Sequence, residues 1–433
     1  MERKEIKLMD GIFLHCMKTD RFKTNYICIN MMSRLNREDV TKNALLPLVL
    51  RRGTKKYPTM KDISIKLEEM YGASLDTGID KIGDITNTQF VMDMISDEYT
   101  LDSSKLLKDG IDLLCELLLN PISKDGAFNK EYVDQEKETL KEIINAKIND
   151  KASYAMERSI EEMYKNEPYG LYKYGYIEDL DKIDERVLYN HYLDVLYDAE
   201  FHIYVSGKFD ENEISKEFTN YFSKVDRNFL NWRAQDKAFG AFESLGDYLR
   251  APDVKNSNSV VEHKEVIQGK LVLGYKLRGH SAKHDFYSMT MYSTILGGSA
   301  SSKLFCNVRE KKSLAYTIRS QFIKHKGAMI VSAGIENDNC LLAKECILKE
   351  IEDMRIGEIT EEEIHDAKVN LVTRFKSMND SQIAMISWAF GQMLFDGDED
   401  IQTVIDKINA VTKEDIMTVA QRLEPSVTYF LTK

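Results

Sequence analysis

Leu296-Gly297-Gly298-Ser299-Ala300-Ser301-Ser302-Lys303-Leu304-Phe305-Cys306-Asn307-Val308-Arg309-Glu310-Lys311-Lys312-Ser313-Leu314-Ala315-Tyr316 is the stretch on which the reading of this chain turns. It divides into a small-residue turn, a short helix, a basic break and a strand. Gly297 and Gly298 free the backbone for a tight turn. Ser299 to Ser302 supply N-cap residue types for the helix behind them. Leu304, Phe305 and Val308 give that helix its apolar stripe. Lys311 and Lys312 fall in its last turn, where cations suit the helix dipole. Leu314, Tyr316 and Ile318 then alternate as on a half-buried strand. Arg309 and Tyr316 flank the break. Together they offer a planar donor fork and a hydroxyl, a pair able to grip a peptide backbone or a carboxylate. The same two residues also suit a plain surface Arg and a half-buried Tyr, because one of each specifies little.

Outward from this stretch, the two halves of the chain read alike. Residues 5–9 and 12–17 flank Asp10-Gly11, a hairpin signal, and 23–32 reads as a third strand. An apolar helix over 41–52 closes at Gly53. Its Pro47 is tolerable only near the first turn, where a missing N–H costs little. Thr59 with Asp62 opens the next helix as a capping box, and Met60, Ile63, Leu67 and Met70 form its buried stripe. A strand pair over 75–93, an amphipathic helix marked by Leu107, Ile111, Leu114 and Leu118, a long charged helix over 130–150 and a strand at 201–206 complete the half. The second half repeats the order. Strands lie near 259–266 and 269–277, and a helix runs over 285–296 into the opening stretch. A strand pair covers 314–322 and 327–334. Helices follow at 341–354 and after Thr360, which has Glu363 as its capping partner, and 427–431 closes the sheet. The spacing predicts a duplicated α+β chain. Each half is an antiparallel sheet with helices packed on one face. The expected boundaries are 1–225 and 259–433, with a linker at 226–258.

Composition narrows the function classes. The chain has 433 residues and a net charge of −12, which argues against nucleic acid or anionic lipid as the main partner. Six cysteines lie scattered in apolar runs without a CxxC, as expected of reduced thiols in a cytoplasmic protein. The N-terminus lacks an apolar signal core, and no window approaches the length of a membrane span. Eight histidines form no H-E-x-x-H and no H-x-x-E-H. His280 and His284 are spaced i, i+4, but they sit beside Gly279 among charged residues, as in a solvated loop. Neither a nucleophile elbow nor a P-loop nor a dinucleotide fingerprint occurs.

Leu296-Gly-Gly, Ser302-Lys-Leu-Phe305 and Arg309-Glu-Lys-Lys-Ser-Leu-Ala-Tyr316 resemble the C-terminal-domain signature of the pitrilysin/insulinase family of inverzincin metallopeptidases. So do Gly53-Thr54, Tyr71-Gly72-Ala73, Leu119-Asn120-Pro121, Phe201-His-Ile-Tyr-Val-Ser-Gly207 and Ile359-Thr-Glu-Glu-Glu-Ile364. The resemblance runs over essentially the whole chain and implies a half-clamshell of two similar domains. The family's zinc site does not carry over. Counting back from Gly53-Thr54 puts Ala44 and Leu48 where active relatives have zinc-binding histidines, and Pro47 where they have the catalytic Glu. Glu136 matches an earlier Glu of the family. The last ligand, seven residues on, is Ile143, with Glu142 one place out of register. Apolar side chains hold no zinc, and proline is no general base.

What the resemblance leaves is Arg309 and Tyr316, which in the family bind the substrate peptide. It implies a non-catalytic, substrate-binding subunit with neither catalytic nor metal residues of its own. Zinc is expected in a homologous partner that carries H-x-x-E-H, and the two chains would enclose an unfolded peptide. Two other readings stay open: a scaffold homodimer of the same fold with no peptidase role, and a peptidase with an unfamiliar metal site.

Overall fold

In the computed structural model, residues 2–102, 104–229, 258–281, 284–394 and 397–433 are described. The strands in chain order are β1 (Glu2–Met9), β2 (Ile12–Lys18), β3 (Thr24–Arg34), β4 (Ser74–Ile82), β5 (Ile85–Ile95), the short pair β6 (Ser123–Lys124) and β7 (Ala127–Phe128), and β8 (Glu200–Gly207). After the expected linker come β9 (Asn258–His263), β10 (Gly269–Leu277), β11 (Ala315–Ile323), β12 (Ala328–Ile335) and β13 (Leu423–Thr432). Most of that linker, 230–257, lies outside the described residues.

The duplication read from the sequence is visible strand for strand. The first sheet runs β1-β2-β8-β3-β5-β4, and the second β11-β12-β10-β13-β9. Read from the other edge, β4-β5-β3-β8-β2 matches the second sheet in order, and β1 has no counterpart. Both sheets are antiparallel except for one parallel pair each, β2 with β8 and β9 with β13. A parallel pair needs a long crossover. Here each crossover carries nearly the whole half between its two strands.

Each sheet buries one face under helices, as alternating strands demand. In the first unit, Ile27, Ile29 and Met31 of β3 and Phe90 and Met92 of β5 pack with Leu45 and Leu46 of the helix Val40–Leu50, and with Ile111 and Leu114 of Leu106–Leu119. In the second, Leu271, Leu273, Val331 and Ala333 pack with Ile347 and Ile351 of Cys340–Arg355, and with Leu371 of Glu361–Ser377. One segment crosses this division. Lys147–Asn166, encoded in the first half, belongs to the second compact unit. Its helix, Lys151–Met163, lies on the face of β10 opposite that core, where a side chain on Gly274 would strike Met163 Sδ.

Several local expectations are corrected. Pro47 sits in the second half of its helix, not near its first turn. Burial of Ala44, Leu45 and Leu46 holds the helix despite the hydrogen bond that proline forfeits. Met60 is 45% exposed and leaves the stripe that Ile63 anchors. The charged helix stops at Ala146 and gives way to a 3₁₀ turn. The capping boxes at Thr59/Asp62 and Thr360/Glu363 are both formed. Among the described residues, no helix is long and apolar enough to cross a membrane.

Candidate functional site

The opening stretch folds around a close backbone approach. The helix Phe286–Ser293 widens into a π turn over Thr294–Gly298. Gly297 has φ −159°, an extended value open to any residue, so the glycine is not there for a turn. A Cβ at Gly297 would lie 2.6 Å from the backbone N of Ser320 on β11. The glycine lets the helix end lie flat against the strand. Ser299 to Ser302 do not cap the helix after them, contrary to expectation. Lys303 is the N-cap position, without a side-chain cap, and the Ser302 hydroxyl donates to the Ser299 carbonyl at 2.6 Å.

That helix, Leu304–Lys311, is wound in π turns and buries Leu304 and Val308. Three side chains pin it. Lys303, itself buried, pairs with Glu363 at 2.8 Å. The other Glu363 oxygen accepts the Thr360 N–H at 2.9 Å, so one carboxylate caps a helix and holds the signature stretch. The Asn307 amide donates to Glu350 at 2.9 Å, and the Lys312 ammonium to Cys346 Sγ at 3.1 Å.

Arg309 stands on this pinned helix. Its guanidinium lies 4.4 Å from the centroid of the Phe305 ring and 3.6 Å from Glu310. Tyr316 does not continue the burial of Leu314 and Ile318. A bulge between Ala315 and Thr317 turns it out, and it is 58% exposed. Its hydroxyl donates to Glu336 Oε1 at 2.8 Å, and this bond raises the phenol pKa. Phe305 and Glu336 are the neighbours that sequence reasoning missed. Phe305 was legible as a stripe residue, but nothing in the spacing links Glu336 to Tyr316.

The positions of the family's zinc ligands are filled otherwise. Ala44 and Pro47 are buried, and Leu48 is partly so. Ile143 is half-buried and Glu142 is exposed. Glu136, the one matching carboxylate, is held by Arg52 Nη1 at 3.1 Å, with the guanidinium also over the Tyr132 ring at 4.9 Å. Zinc needs three or four convergent N, O or S donors. Among the described residues no group of three His, Cys, Asp or Glu could hold a metal ion. The side chains at the family's ligand positions therefore do not fit zinc. His280 is no ligand either: Nε2 donates to the Lys324 carbonyl at 2.7 Å, and Nδ1 lies 3.3 Å from Asp285. All six cysteines are free thiols.

Comparison with known proteins agrees with this geometry. The family described as "Peptidase M16 inactive domain" matches residues 182–371. A Bacillus subtilis protein named "Probable inactive metalloprotease YmfF" is 32% identical over 421 residues, 97% of this chain and 96% of its own. A second protein of that bacterium, "Uncharacterized zinc protease YmxG", is 23% identical, covering 84% of this chain and 86% of its own. A solved structure of a conserved protein from Enterococcus faecalis V583 superposes with TM-score 0.87 at 27% identity, covering 100% of this chain and 99% of that one.

Proposed function

Because the chain belongs to the peptidase M16 family, as an inactive-type member of the pitrilysin/insulinase group, we propose that it holds extended peptide for a homologous zinc-bearing chain. One observation carries this reading: the positions for metal and base hold Ala44, Pro47, Leu48 and Ile143, while a half-buried Arg309 and an exposed Tyr316 stand at the two ends of a pinned stretch. Arg309 would clamp a peptide carbonyl or carboxylate through its donor fork, and Tyr316 would exchange Glu336 for the peptide backbone. Such positioning is worth much of a hydrolytic barrier when a partner supplies the chemistry. The pair would work in the cytoplasm as a heterodimer around an unfolded polypeptide. In support, Bacillus subtilis holds both an inactive-named and a zinc-protease-named relative.

The test is co-purification with each H-x-x-E-H homologue of the same genome, followed by elemental analysis and a peptide-cleavage assay. Stable pairing is expected, with zinc in the partner alone and cleavage only from the mixture. A lone, zinc-loaded chain that cuts peptides and is stopped by a chelator would overturn the reading. So would a self-dimer that ignores every zinc-bearing homologue.

A further inference from the structure

The face of the second sheet opposite its helical core is hollow at one end, and the hollow is built from small residues. Register places Gly334 of β12 between Lys270 of β10 and Thr317 of β11. On the next rung, Ser332 stands between Val272 and Arg319. Gly334 has no side chain and Ser332 a short one, so the floor sinks between taller walls. A Cβ on Gly334 would sit 2.8 Å from Thr317 Oγ1 and from Gln268 Oε1. The start of the helix Lys151–Met163 forms the far wall, with Asp150 and Ser153. The cavity measures about 450 Å³.

Two cations line it, and among the described residues neither has a carboxylate partner. Arg319 is exposed, and its one hydrogen bond among the described residues goes to Ser332 Oγ at 3.4 Å. Lys270 bonds to the neutral Gln268 amide, and burial lowers its pKa, opposed by Asp150. Asp150 makes no salt bridge with either among the described residues, although its charge acts on Lys270. Its oxygens accept the Ala152 and Ser153 N–H groups at 3.0 and 3.1 Å and the Ser153 hydroxyl at 2.6 Å. Those N–H groups are thereby spent and offer nothing to a ligand. Two cations without a salt bridge among the described residues, over the Ser332 and Thr317 hydroxyls and in a chain of net charge −12, form a site for a carboxylate.

The position of the hollow says which carboxylate. β11 is an edge strand, and Arg319 lies three residues beyond Tyr316 along it, about 10 Å at strand rise. An extended peptide gripped at Tyr316 would reach the hollow a few residues on. We infer that the hollow formed by Gly334, Ser332, Lys270 and Arg319 binds a peptide carboxylate, from an acidic side chain or the C-terminus, and so selects which peptides the chain holds. This rests on the peptide-holding reading above.

The test uses the full chain and one unstructured peptide made in four forms, with Glu or Gln at one internal position and a free or amidated C-terminus. Binding is read by fluorescence anisotropy. At least one carboxylate-bearing form should bind about tenfold tighter than the fully neutral one, a charge-assisted contact's worth. The form that gains identifies the source. Arg319→Gln and Lys270→Gln should each shrink the advantage to about twofold or less, leaving the neutral form unchanged, and salt should weaken it. Equal binding of all four forms, or a full advantage surviving in both variants, overturns the hollow and leaves peptide holding intact. Binding of no form at all overturns both.

Discussion

The guanidinium of Arg52 lies 3.1 Å from the carboxylate of Glu136, and both side chains are largely withdrawn from solvent. The carboxylate at the position that resembles an earlier Glu of the family is here paired with an arginine of the same unit. Arg52→Ala should leave Glu136 with a poorly solvated charge and cost about 1–3 kcal/mol in urea denaturation. Adding Glu136→Gln should return most of that loss. If the double variant is no more stable than the single one, the arginine acts by packing on Tyr132 and not by charge.

Adjacent glycines should differ sharply. Gly297→Ala drives a Cβ into the Ser320 backbone, which cannot yield as a side chain could, and should cost about 1–3 kcal/mol. Gly298→Ala meets nothing nearer than 3.3 Å and should stay within about 0.5 kcal/mol. Thermal melts of the two variants decide the point.

Acid should destabilise the chain earlier than its carboxylates require. Burial holds His191 down to about 4, His325 to about 3 and His15 to about 2, the last helped by His202 and Arg3. An unfolded histidine titrates near 6.5. Below that pH the unfolded chain takes up protons the folded one refuses, so stability is whole above 6.5 and falls as pH drops toward 4. Each histidine contributes a slope of up to about 1.4 kcal/mol per pH unit. The urea midpoint should drop between pH 7.5 and 5. His191→Gln, which can keep the bond to Asn43 Oδ1, should flatten the drop by one proton.

Tyr316→Phe removes an exposed bond to Glu336 and should leave the melting temperature unmoved. Combined with Arg309→Ala, it should lower peptide cleavage by the reconstituted pair about tenfold or more, at unchanged zinc content. Cleavage at the parent rate would remove both residues from the peptide path.

Much of this architecture was legible in the chain itself. The Asp10-Gly11 turn signal marked β1 and β2, and Thr59/Asp62 and Thr360/Glu363 announced their capping boxes, because those signals are local. What failed was set by distant partners. Nothing near Ile12 states that it will pair in parallel with Phe201. The alternation of Leu314, Tyr316 and Ile318 could not show a bulge imposed by β12. Gly297 looked like a turn residue because sequence shows conformational freedom more readily than crowding by Ser320. The hollow was invisible for the same reason: Gly334, Ser332, Lys270 and Arg319 come together only when three strands are in register.

The helix Lys151–Met163 has a consequence for dissecting this molecule. Any cut placed in the linker severs it from the sheet on which Met163 and Gly274 meet. The trailing fragment would then bare an apolar surface that intact protein hides, and the leading one would drag an orphaned amphipathic arm. Two soluble, self-sufficient products should come only from a design that transplants residues 147–166 onto the front of the second piece.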